Sequence, residues 1–205
     1  MRPLTLLIGE RLALSRGERC LFAGLDIGLA AGQAVALTGP NGSGKTSLLR
    51  ALAGLSRLQS GEIWFEDSEG AVDPGDARRE RMHHVGSSDG LDRRRLAGEE
   101  LEFWTRWCGG TLAAAKEAAG RLRLLDVLDL PVIALSAGQR RRLALARLAA
   151  APRALWLLDE PLTGLDAPSR DTLAALMSDH LAAGGMILAA VHDPLPIAAR
   201  RIALA

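Results

Sequence analysis

The chain has 205 residues, 48% of them hydrophobic, enough to bury the core of one domain with a smaller subdomain folded into it. Its 25 basic and 24 acidic residues leave a net charge of +1, so no general field draws it to nucleic acid or to an anionic membrane surface. Cys20 and Cys108 lie far apart without metal-ligand spacing and read as free thiols.

Starting from Met1, the chain meets Glu10 before an apolar run of signal-peptide length can form. The longest apolar stretch, Leu181 to Val191, has 11 residues and contains Gly184 and Gly185, against roughly 20 for a spanning helix. The cytosol is the expected compartment. No repeat or low-complexity tract is visible, which argues against solenoids and disordered tails.

Residues 3 to 29 mix short apolar runs with glycines and suggest a small antiparallel sheet. Val35-Ala36-Leu37-Thr38 reads as a buried strand, followed by a glycine-rich turn and a helix from Ser47 to Leu55 that carries Leu48, Leu49, Leu52 and Leu55 at helical spacing. Residues 92 to 130 read as mostly helical, with Trp104 and Trp107 three apart on one face, expected to pack in the core between helices, with a partner-facing role as the alternative. Ala154 to Leu158 is a second buried strand. Pro168 opens a helix with Leu173, Leu176, Met177 and Leu181 on one face and Gly184-Gly185 as its stop, and Met186 to Val191 is a third strand. Strands alternating with helices imply a parallel sheet covered by helices.

The turn after the first buried strand is Gly39-Pro40-Asn41-Gly42-Ser43-Gly44-Lys45-Thr46, which meets G-x-x-x-x-G-K-[ST] at every fixed position. Glycines let successive N–H groups face a polyphosphate, and the next helix presents its positive end to the same anion. Lys45 is expected to bridge the β- and γ-phosphates of ATP and Thr46 to ligate Mg²⁺, with Ser47 beside it among the nucleotide-binding positions. Lys116 is the only other lysine among the 25 basic residues, so a lysine here is no compositional accident. The strand Leu155 to Leu158 runs into Asp159-Glu160, two carboxylates at the carboxyl end of a buried strand, where ligands of open α/β sheets gather. Asp159 is expected to hold Mg²⁺ and Glu160 to polarise the attacking water.

Leu135-Ser136-Ala137-Gly138-Gln139 precedes Asp159, with Ser136 23 residues upstream of it. It resembles the signature motif of ATP-binding cassette proteins, with Ala137 in place of the commoner glycine. Ser136 is a good N-cap, and the helix it opens offers a second phosphate-binding surface on the same chain. The resemblance therefore implies a head-to-tail dimer in which Ser136, Ala137, Gly138 and Gln139 of one copy finish the site built on Lys45 of the other. Arg140, Arg141 and Arg142 oppose the dipole preference there; nearby phosphate charge or plain solvent exposure would each account for them.

Other motifs follow in cassette order. Gly164-Leu165-Asp166 looks like the loop that meets the partner copy, and His192, 32 residues past Glu160, looks like the switch histidine at the γ-phosphate. Two positions depart from the pattern. Where cassettes stack adenine on an aromatic ring this tyrosine-free chain has Arg16, whose guanidinium plane can also stack on a base. The loop expected to hold a glutamine reads Val85-Gly86-Ser87-Ser88-Asp89-Gly90, leaving Ser87 or Ser88 to act through water.

The resemblance covers essentially the whole chain. It implies an α/β fold with a P-loop NTPase core and a mostly parallel sheet. A small N-terminal antiparallel β subdomain and an α-helical subdomain inserted at about 92–130 complete a single ATPase domain spanning 1–205. The signature helix, Trp156-Leu157-Leu158-Asp159-Glu160-Pro161 and Gly42 to Leu55 are similar to the haem-exporter ATPases of bacterial cytochrome c biogenesis, in which the glutamine loop also departs. That similarity implies an ATP hydrolase on the cytoplasmic side of the inner membrane, bound peripherally to integral permease subunits, with no nucleic-acid partner. An ATPase of another small exporter or importer would differ only in cargo. Among cassettes without a transporter, repair types need a coiled-coil insertion, and Lys45 and Asp159, only 114 positions apart, leave no room for one.

Overall fold

The computed structural model describes residues 2–204. They form two compact units: one comprises the chain up to His84, Arg153–Glu160 and the segment from Met177 onward; the other comprises Val85–Pro152 and Pro161–Leu176.

In chain order the elements are β1 (Leu6–Arg16), β2 (Arg19–Ala30), β3 (Ala34–Thr38), α1 (Lys45–Leu52), β4 (Ser60–Asp67), β5 (Gly70–Val72), α2 (Pro74–Glu80) and β6 (Met82–Val85). There follow α3 (Ala97–Trp107), α4 (Leu112–Arg121), two short 3₁₀ turns, α5 (Ala137–Ala150), β7 (Leu155–Asp159), α6 (Ala167–Ala182), β8 (Met186–Ala190) and β9 (Arg200–Ala203).

The first unit holds two sheets. The antiparallel one, ordered β2-β1-β4-β5, is larger than the sequence suggested, because β1 and β2 extend as an 11- and a 12-residue strand. A bulge interrupts β1, where Arg11 takes φ +47° and its N–H donates to Asp26 at 2.7 Å. Gly61 of β4 crosses that bulge at φ +92°, and a Cβ there would stand 2.6 Å from the carbonyl oxygens of Glu10 and Arg11, so no larger residue fits.

The second sheet runs β6-β7-β8-β3-β9, with β7, β8, β3 and β9 parallel. Every residue of β7 and β8 is buried, which is why they read as unbroken apolar runs rather than alternating ones. Leu7, Leu29 and Phe65 from the antiparallel sheet share one core with Leu37, Leu48, Leu52, Leu157 and Leu188. Truncating any of these leucines to alanine costs about 2–5 kcal/mol. Helix α1 begins two residues earlier than Leu periodicity indicated, since Lys45 and Thr46 form its first turn, and stops at Leu52. Gly54 at φ +74° and the bond from Leu55 N–H to the Arg50 carbonyl (2.8 Å) end it.

The second unit is helical. Trp107 departs from the expected core packing: it is 69% exposed, whereas Trp104 is half-buried and its Nε1–H donates to Glu100 at 2.8 Å. Three-residue spacing turns a helix about 300°, so the two rings share a side of α3 but not its buried stripe. Helix α6 starts in this unit, and its last turns belong to the first. No helix among the described residues is long and apolar enough to cross a membrane, and neither cysteine is in a disulfide.

Candidate functional site

The phosphate loop leaves β3 and enters α1. Gly39, Gly42 and Gly44 take φ of +135°, +79° and +101°, values that side chains other than glycine rarely adopt. A Cβ on Gly39 would collide with the Leu204 carbonyl, and one on Gly44 would stand 3.0 Å from Phe22. Lys45 is nearly buried, and its ammonium donates to the carbonyls of Gly39 (2.7 Å) and Pro40 (3.1 Å), arching the loop around it. The Ser43 hydroxyl is buried and has no partner among the described residues, and no acidic residue occupies the first turn of α1. A cradle of left-handed glycines, an unsatisfied hydroxyl and an uncompensated helix N-terminus together suit a polyphosphate.

Three strand ends bring the remaining groups of this unit together. The Thr46 hydroxyl donates to the Asp159 carboxylate, 3.0 and 3.1 Å from its two oxygens, and Asp159 is 2% exposed. Glu160 follows at φ +49°, one of three non-glycine residues described with a positive φ, while its N–H donates to the Ala190 carbonyl of β8 at 2.9 Å. This left-handed turn swings the Glu160 side chain off the strand direction, and its Oε1 lies 3.5 Å from Nε2 of His192. Both side chains stay accessible, at 25% exposure for Glu160 and 52% for His192.

Arg16 lies exposed at the end of β1, paired in register with Arg19 across the hairpin. Arg19 is a residue the motifs did not single out. Its guanidinium sits over the tip of the phosphate loop, with Nη1 3.6 Å from where a Gly42 Cβ would stand. It belongs to no motif, and only the hairpin register brings it there.

In the second unit Ser136 caps α5 through a reciprocal pair: its hydroxyl accepts from Gln139 N–H at 3.2 Å, and the Gln139 side chain accepts from Ser136 N–H at 2.8 Å. The Ser136 proton stays free for another acceptor, and the first N–H groups of the helix cannot be satisfied within it. Gly138 packs on Gly164, whose carbonyl oxygen would stand 3.0 Å from a Cβ, so the signature glycine and the Gly164-Leu165-Asp166 loop touch through backbone. Asp166 accepts from Ser169 N–H at 3.1 Å, and hydrogen bonds from the Ser169 side chain and backbone hold its carboxyl below the usual range.

Plain solvent exposure does not describe Arg141, which is 5% exposed. Arg140 donates to the Leu135 carbonyl, Arg141 to Gly86, and Arg142 to Leu122 (3.0 Å) and Arg123 (2.9 Å), so each satisfies carbonyls of its own unit. Further along α5, Arg147 lies 5.1 Å from the Trp104 ring, and burial pulls its guanidinium down to about 10.

A parallel sheet with a glycine phosphate loop after one strand and an Asp-Glu pair at the end of another defines a P-loop nucleoside triphosphatase. Residues 22–163 match the ABC transporter family model. Cytochrome c biogenesis ATP-binding export proteins CcmA are 47% identical in Nitrobacter winogradskyi, with 96% of each chain covered, and 46% identical in Bradyrhizobium diazoefficiens, with the same coverage. A putative ABC transporter ATP-binding protein from Pyrococcus furiosus shares the fold at a TM-score of 0.82 and 20% identity over 98% of both chains. A dimeric ATP-binding cassette bound to ADP and Pi shares it at 0.76 and 21% identity, over 91% of this chain and 88% of that one. The chain belongs to the ABC transporter family and, within it, to the CcmA cytochrome c biogenesis ATP-binding export proteins. It is an ATP hydrolase.

Proposed function

We propose that the chain drives a haem exporter serving c-type cytochrome assembly, hydrolysing Mg²⁺-ATP between two copies of itself. The observation that carries this reading is 47% identity to a cytochrome c biogenesis export protein over 96% of both chains, joined to the Lys45, Asp159, Glu160 and His192 arrangement.

ATP lies with its phosphates in the Gly39–Thr46 loop, Lys45 countering their charge and Arg16 against the base. Among the described residues no group of three His, Cys, Asp or Glu side chains could hold a metal ion by itself. Mg²⁺ bound along with phosphates needs only one or two protein oxygens, and Thr46 and Asp159 are suitably hard ligands. When bound, the metal supplies positive charge to the departing β-phosphate oxygen. Glu160 orients a water toward the γ-phosphorus and takes its proton as the new P–O bond forms and the bond to the β-phosphate oxygen breaks. His192 holds the γ-phosphate oxygens, 3.5 Å from Glu160. Ser136, Ala137, Gly138 and Gln139 of the second copy cap the same phosphate through N–H groups and the free hydroxyl proton of Ser136, with Asp166 holding the adjoining loop. Integral permease subunits at the cytoplasmic face of the inner membrane receive the resulting dimer closure.

Expression in a bacterium deleted for its own cytochrome c biogenesis ATPase, together with the neighbouring permease genes, tests the assignment. The wild-type chain restores covalent haem staining of c-type cytochromes, and Glu160→Gln does not, although it still binds ATP and dimerises. Failure of the wild-type chain to restore staining while ATPase activity is intact overturns the haem cargo. Near-normal hydrolysis by Glu160→Gln overturns the role of that carboxylate.

A further inference from the structure

The loop from Gly86 to Gly90 lacks the glutamine that its place in the chain leads one to expect, yet it is not loosely held. Arg141, 5% exposed on the first turns of α5, donates through one Nη1 both to the Gly86 carbonyl at 2.8 Å and to Asp89 Oδ1 at 3.0 Å. The two side chains are 6% and 23% exposed, so this is a charge-assisted pair shielded from water rather than a screened surface contact. Arg141 lies five residues beyond Ser136 on one rigid helix, little more than one turn from the cap. Rotating α5 away from the loop would break both of these bonds to a buried guanidinium.

We infer that Arg141 and Asp89 form a positioning clasp that ties the 86–90 loop to the signature helix, so that the loop sets the orientation of Ser136. Neither residue touches the reacting phosphate. The clasp does the coupling that a glutamine side chain cannot do here, and it works through a loop anchored at two points, a backbone carbonyl and a carboxylate. Its effect on turnover rests on the proposed capping of the γ-phosphate by Ser136; the mechanical link between loop and helix does not.

The test uses Asp89→Ala in the full chain, with melting temperature and circular dichroism showing that the helical unit stays folded. Its kcat for ATP is expected to fall about tenfold at similar KM, with nucleotide affinity of the monomer within about twofold of wild type. Hydrogen exchange is expected to quicken together at residues 86–90 and at the N–H groups of Gln139 and Arg140, which Ser136 holds at 3.2 and 3.0 Å. A purely local loop defect would quicken exchange at 86–90 alone and overturn the clasp, as would an unchanged kcat alongside a Ser136→Arg variant that is inactive. In a double-mutant cycle with Arg141→Gln, the second substitution is expected to add little to the loss of kcat caused by the first; additive losses overturn the pairing. If Ser136→Arg hydrolyses ATP normally, the capping role fails while the exchange measurement still decides the clasp.

Discussion

The Thr46 hydroxyl reaches both oxygens of Asp159, at 3.0 and 3.1 Å, across 113 residues of sequence. This bond joins the start of α1 to the end of β7 and places two hard oxygens side by side, which is what a Mg²⁺ travelling with ATP requires. Thr46→Val removes the hydroxyl while keeping the shape. Its apparent Mg²⁺ requirement for hydrolysis is expected to rise about tenfold or more, with little change in melting temperature in the absence of nucleotide. Equal Mg²⁺ titrations for the two proteins would show that the hydroxyl is no ligand.

Ser136 caps its own helix and still has a proton to give. Ser136→Arg is expected to abolish hydrolysis while leaving the nucleotide affinity of the monomer nearly intact, because it blocks approach of a second copy without touching the loop that Lys45 organises. Equilibrium binding of a fluorescent ATP analogue beside a steady-state assay separates the two effects. A wild-type rate per molecule that does not change with protein concentration would contradict a shared site.

Arg19, over Gly42, is a cation that motif reading passes by. Arg19→Ala is expected to weaken ATP binding by about 1 kcal/mol, roughly fivefold, and the loss should shrink as salt is raised. Calorimetric titrations at low and high ionic strength measure it, and a loss independent of salt would point to packing instead.

The His180 ring stacks on Trp156 with centroids 3.9 Å apart, and Nε2–H donates to the Met186 carbonyl at 3.2 Å. Burial lowers the His180 pKa from its ordinary 6.5. The unfolded chain therefore takes up the proton first as pH falls, and folding stability drops from about pH 6.5 downward until the folded pKa is passed. Chemical denaturation between pH 7.5 and 5 should show this slope, and His180→Phe, which keeps the stack, should flatten it. An unchanged slope would exclude His180 as its source.

Much of the candidate site's local geometry was legible in sequence because a phosphate loop is written in consecutive residues. Gly39 to Thr46 needs left-handed glycines, a lysine and a hydroxyl at set spacing, and any chain that cradles phosphate this way must write them consecutively. The buried strands β7 and β8 were equally legible, since burial on both faces demands unbroken apolar runs. Ser136 announced itself as a cap because capping is decided within four residues.

What sequence could not determine depends on pairings between distant segments. The β1–β2 register brings Arg19 opposite Arg16 and over the phosphate loop, and that register shifts three times along β1, between Gly9 and Leu12, between Leu12 and Leu14, and between Leu14 and Ser15. Trp107 and Trp104 have the same composition and almost the same place, yet only packing against neighbouring helices decides which ring is exposed. Arg140 reaches a carbonyl only five residues back, that of Leu135, whereas the fold brings Arg141 to Gly86 and Arg142 to Leu122, carbonyls 55 and 20 residues away in sequence. Motifs specify groups that act within a few residues of one another. Long side chains such as arginine take their partners from whatever the fold brings within reach.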